Sequence, residues 1–181
     1  ATHRLVANLD NFDFSELINH LNEDFEVTGF DFESGQSKTE AKMQLLREMK
    51  AQYNNGNAAF GLYGDDNAFY LAVLKNPDAM EAMVPEKSKP WRSLDVSILH
   101  KLILEKLLGI DDEKLTQGGY LQYVKDTPNA IDDSIAMVDK GDKQAAFLMN
   151  PPRLEQMRMV ADHGERMPQK STYFFPKIFT G

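Results

Sequence analysis

Residues 94–108, LDVSILHKLILEKLL, carry apolar side chains on nearly every side of a helix. Leu94, Ile98, Leu102, Leu104 and Leu108 recur at helical spacing, and Val96, Leu99, Ile103 and Leu107 fill the remaining sides. A helix that is apolar all round has to be buried all round, so the rest of the chain must wrap it, with Gly109 as its stop. His100 interrupts this run, and its plain reading is a hydrogen-bonded core histidine.

The wrapping elements alternate irregularly. Asp13 and Glu16 flank the start of FSELINHLNEDF, whose Phe14, Leu17, Ile18, Leu21 and Phe25 share a face, and Ser37 with Glu40 offers a capping box for a second helix bearing Ala41, Leu45, Met49 and Tyr53. FEVTGFDF reads as a strand bulged or bent at Gly29. NAAFGLY and NAFYLAVL, joined by GDDN, read as a hairpin; GYLQYV, AAFLM and STYFF complete about six strands. Residues 75–92 hold three prolines and read as an irregular connection with one short helix at DAMEAM, and Trp91 as an anchor for that loop. Thr127 with Pro128 opens a helix carrying Ile131, Ile135 and Val138, and Asn150 with Pro151 and Pro152 opens a last one with Leu154, Met157 and Val160 inward. The expectation is one α+β domain over residues 1–181, with a mixed, largely antiparallel sheet of about six strands packed with about five helices.

At 181 residues a single domain buries roughly 70% of its unfolded surface and needs no covalent staples. There is no Cys, which removes thiolate nucleophiles and cysteine-ligated metals and suits a reducing compartment, so the cytoplasm is the expected location. With 20 basic against 28 acidic residues the charge is -8, and a chain that repels phosphate backbones is not expected to bind nucleic acid. No apolar run approaches the ~20 residues of a membrane span. The opening ATHRLVANLD lacks an initiator Met and a signal layout, and reads as a cut inside a longer protein. His3, His20, His100 and His163 have no ligand spacing, and the acid pairs Asp65/Asp66, Asp111/Asp112 and Asp132/Asp133 read as turn and cap residues, so no metal site is expected.

The chemistry-bearing stretch is GERMPQKSTYFFPK, residues 164–177. It approaches the phosphate-loop pattern G-x-x-x-x-G-K-[ST], but Gln169 stands where the second Gly must be, and the run follows a helix rather than opening one. An anion site of another kind remains: Lys170 offers a charge, Ser171 and Thr172 short donors, and Pro168 and Pro176 hold the backbone. The alternative is a turn whose polar groups satisfy their own backbone before a buried strand at Tyr173–Phe175. A third reading makes the stretch an interdomain or homodimer seam.

THRLVANL, RSLDVSILHKLILEKLLGI and AAFLMNPPRLEQMRMVADHGERMPQKSTYFFPK, in that order along the chain, resemble the C-terminal half of the prokaryotic family called domain of unknown function 1015. The resemblance implies a missing N-terminal half as partner, carrying an Asp-Gly-His-His-Arg motif reminiscent of ParB-like proteins, some of whose relatives phosphorylate free serine. That motif is absent from this sequence. The implied activity is a nucleotide-dependent small-molecule, amino-acid, kinase using ATP or ADP with Mg, of which this chain forms one wall and is inactive alone. Lys170, Ser171, Thr172, Tyr173, Lys177 and Arg166 then become the candidate phosphate contacts, and Glu165 and His163 the weaker candidates for handling a proton. The rival reading is a non-catalytic module that binds a small anionic metabolite.

Overall fold

Residues 2–33 and 35–168 are described by the computed structural model. Its six strands are β1 (Thr2–Val6), β2 (Phe25–Asp31), β3 (Ala59–Tyr63), β4 (Ala68–Leu74), β5 (Leu121–Lys125) and β6 (Ala145–Met149). They form one sheet in the order β2-β4-β3-β6-β1-β5, and every pairing between neighbours is antiparallel. The α+β class therefore holds. The strand expected at STYFF lies outside the described residues, and β1, which the sequence reading passes over, sits inside the sheet between β6 and β5.

The hairpin forms as expected, with Ala59 opposite Val73 and Tyr63 opposite Phe69. β2 pairs with β4 without a bulge, from Phe25 opposite Leu74 to Asp31 opposite Ala68. Gly29 is there for space instead: a Cβ on it would stand 3.2 Å from the Tyr70 ring.

The helices are α1 (Phe14–Leu21), α2 (Lys38–Asn54), α3 (Asp78–Met83), α4 (Lys89–Ser93), α5 (Asp95–Ile98), α6 (Asp112–Gln117), α7 (Ala130–Asp139) and α8 (Leu154–Asp162), and α5 runs on into a π-helix at Leu99–Glu105. Local chemistry starts several of them. The Asp13 side chain accepts from Glu16 N at 3.2 Å, and Ser37 and Glu40 close their capping box. Proline density hid α4: Ser88 caps it by accepting from Trp91 N at 3.2 Å, Pro90 sits in its first turn, and Trp91 is buried. In α8, Met157 and Val160 point inward, but Leu154, expected to join them, is 67% exposed at the first turn.

Side chains alternate across the sheet, so each strand feeds two cores. Leu5, Tyr63, Phe69, Leu71 and Leu148 pack under α2 and α7 with Ala41, Leu45, Met49 and Ile135. Val6, Phe60, Leu62 and Phe147 pack on the other face with α1, α8 and the π-helix. The π-helix explains the run that is apolar all round: Leu99, His100, Leu102, Ile103 and Leu104 are all buried. Gly109, at φ 71°, ends it in the left-handed region where glycine is favoured. Among the described residues no helix is long and apolar enough to cross a membrane.

Candidate functional site

The alternation of β1 puts Thr2 and Arg4 on the face that also carries Val6, while His3 and Leu5 face the α2 side. Arg4 is 1% exposed. Its guanidinium lies 5.1 Å from the centre of the Tyr123 ring, the residue directly opposite on β5, and donates to the Thr2 carbonyl. Burial lowers its pKa to about 10, with Tyr123 opposing, so it stays charged at neutral pH.

His100 reaches the same region from the π-helix. Burial, then the charges of Arg4 and Lys101, push its pKa down to about 3, so the imidazole is neutral over the ordinary pH range. The residue is 8% exposed, and Nε2 has no hydrogen-bond partner among the described residues. This departs from the expected bonded core histidine. A π-turn commonly marks a functional position in a helix, and here it carries the buried imidazole.

His100 lines a cleft of about 840 Å³. Lys101, Glu105, Trp91, Lys87 and Arg166 form much of its wall. Lys101 donates to Glu105 at 3.0 Å, and Lys87 lies 5.0 Å from the centre of the Trp91 ring. The Trp91 indole N–H donates to the Arg166 carbonyl at 2.9 Å, which ties the chain after α8 to α4. Pro168, the last described residue, also lines the cleft.

A small, mostly apolar pocket adjoins it, walled in part by Leu94, Val96, Met149 and Met157, with Met167 lining both. Its free volume of about 30 Å³ is bounded by Thr2, Arg4, Asp95, Asn150 and Arg153. Thr2 is 2% exposed, and its Oγ1 has no partner among the described residues. Asp95 is only partly exposed by area and deep enough that desolvation pushes its carboxyl up to about 7, against the pull of Arg153.

The sequence-derived candidates fall into three places. Lys170, Ser171, Thr172, Tyr173 and Lys177 lie outside the described residues. Arg166 is brought to the cleft. Glu165 accepts from Ser88 N at 2.8 Å and from the Ser88 hydroxyl; these two bonds, side chain first, hold its carboxyl below the usual range. His163 follows α8 as its C-cap, exposed, with Nδ1–H donating to the Met159 carbonyl at 2.8 Å. Sequence reasoning missed Thr2, Arg4, Asp95 and Lys101, and the signal available was a polar pair spaced by two before the apolar end of a strand.

No group of three or more His, Asp or Glu side chains poised for a metal ion occurs among the described residues. No curated protein matches the chain. A solved structure of a free serine kinase in complex with AMP is similar, at 17% identity and a TM-score of 0.45, over 95% of this chain and 51% of that one. The chain therefore spans about half the length of that kinase structure. Residues 1–97 match the family described as protein of unknown function (DUF1015), and the chain belongs to that family.

Proposed function

We propose that the chain supplies one wall of a binding site for a small phosphate-bearing ligand, and that the site serves nucleotide-dependent phosphoryl transfer to a small molecule of the amino-acid class. His100 carries the reading. A buried nitrogen without a partner costs about 1–3 kcal/mol; His100 carries one among the described residues, and the residue lines a cleft of a size that suits a small metabolite. Being neutral, His100 offers a hydrogen bond rather than a charge; Lys87, Lys101 and Arg166 supply positive charge.

Phosphoryl transfer rests on positioning and charge neutralisation, for which the lysine and arginine side chains of this wall are the candidate groups. Glu86, Glu105 and Asp112 share the cleft and offset those cations. In this proposal the phosphates of ATP or ADP meet Lys87 and Arg166, and the described residues form no cluster of three or more side chains for Mg. In this proposal Lys170, Ser171, Thr172, Tyr173 and Lys177, which follow Pro168 in sequence, add phosphate contacts.

A second reading, recognition of an anionic metabolite without catalysis, is favoured by Glu165. Both its oxygens are engaged by Ser88 and its basicity is reduced, which makes it a poor proton acceptor. Calorimetric titration of ADP into the protein tests the shared core of both readings. Arg166→Ala should weaken ADP binding about tenfold, in line with a lost charge-assisted contact, and equal affinity in wild type and variant would contradict the site. Phosphoryl transfer from ATP then separates the two readings.

A further inference from the structure

The chain leaves α8 by a fixed route. Gly164, at φ 71°, takes a left-handed turn, its N–H donates to the Ala161 carbonyl at 2.9 Å, and Glu165 N–H reaches back to the Val160 carbonyl at 3.3 Å, a glycine stop that sets where the next residues begin. Two contacts then fasten those residues to α4. Glu165 accepts from Ser88 N at 2.8 Å with one carboxylate oxygen and from the Ser88 hydroxyl with the other, and the Arg166 carbonyl accepts from the Trp91 indole at 2.9 Å.

The anchors are themselves held. Ser88 Oγ also accepts from Trp91 N at 3.2 Å, which caps α4, and the Trp91 side chain is buried in the core. Successive residues thus bind two anchors three positions apart, which fixes the direction of the segment as well as its place. Arg166, Met167 and Pro168 then line the cleft, with Met167 packed against the core.

We infer that Glu165 is a positioning residue, which through Ser88 and together with Trp91 holds Arg166 at the wall of the cleft; for its ligand, the inference rests on the reading of that cleft as an ADP site. Arg166 is exposed, and a long exposed side chain places its charge only as well as its backbone is held. A misplacement of about 1 Å costs a reacting or binding group much of its effect. Glu165, which the family resemblance made a candidate for handling a proton, has both oxygens occupied and acts through its neighbour instead.

Trp91 is the only Trp of the chain, so its indole N–H gives one NMR signal that reports the clasp with no ligand present. Glu165→Ala should move that signal and the Arg166 amide while the amides of the sheet stay in place; Glu165→Gln, which can still accept from Ser88 N, should move them less. With ADP as the probe, Glu165→Ala should weaken binding several-fold, but in an Arg166→Ala background it should add less than about twofold, because both changes remove one contribution. An indole signal unmoved by Glu165→Ala would overturn the clasp whatever ADP does. A full several-fold loss on top of Arg166→Ala would overturn the positioning role, since Glu165 would then act by itself. If the wild-type protein takes up no ADP, the proposed ligand of the cleft fails, and the ligand-free indole signal still decides the clasp.

Discussion

The two faces of the sheet are built to different rules. Under α2 and α7 the core is apolar, and its polar neighbours are paired: Lys38 bonds Asp139, Tyr63 O–H donates to Asp139 at 2.5 Å, and Lys42 bonds Asp132 at 2.7 Å. On the opposite face Thr2, His100 and Tyr123 each bury a polar atom with no partner among the described residues, around a buried Arg4. A fold selected for stability alone has no reason to keep such atoms, because each one weakens it. Both faces bury an apolar core, and in the proposed reading the second also carries the chemistry.

That contrast predicts opposite signs for similar substitutions. Leu45→Ala, on the apolar face, should cost about 2–5 kcal/mol in urea unfolding. Gly61→Ala places a Cβ 2.9 Å from Met49 Sδ and 3.0 Å from Leu45 Cδ2, and should cost about 1–3 kcal/mol by overpacking. Thr2→Val, on the functional face, should instead stabilise the protein by about 1 kcal/mol, since it removes an unpartnered hydroxyl. Lys38→Ala should change stability by less than about 1 kcal/mol, because that ion pair is about 40% exposed. A stabilising Leu45→Ala or a strongly destabilising Thr2→Val would erase the distinction.

A finer test uses pH. His100 falls from 6.5 to about 3 on folding, so its contribution is present above 6.5 and is lost as pH falls toward 3. Asp95 rises from 3.8 to about 7, so its contribution is present below 3.8 and is lost as pH rises toward 7. The two slopes oppose each other in the same window. Asp95→Asn should leave stability that increases with pH between about 4 and 6.5, and His100→Leu stability that decreases over that range, both read from urea midpoints.

Much of the apolar face was legible in the sequence. The Ser37–Glu40 box, the hairpin across Gly64–Asn67 and the Ala145–Met149 strand carry local signals, because caps, turns and apolar runs act over a few residues. The functional face was not. Thr2, His3 and Arg4 break the apolar alternation that would mark β1 as a buried strand, and a histidine in an apolar run looks the same whether its nitrogen is satisfied or not. Only packing shows that Asp95 lines one pocket with Thr2 and Arg4, which are far from it in sequence. Among the described residues, Arg166, a candidate implied by the family resemblance, is brought to the cleft.

The most direct test of a ligand-facing His100 is long-range imidazole NMR, recorded with and without ADP. The account predicts a neutral ring whose Nε2 resonance moves on saturation with ADP, while the His3 ring, held by Met149 N–H at 3.0 Å and by Asp126 at 3.3 Å, stays still. An unmoved His100 at saturating ADP would contradict it.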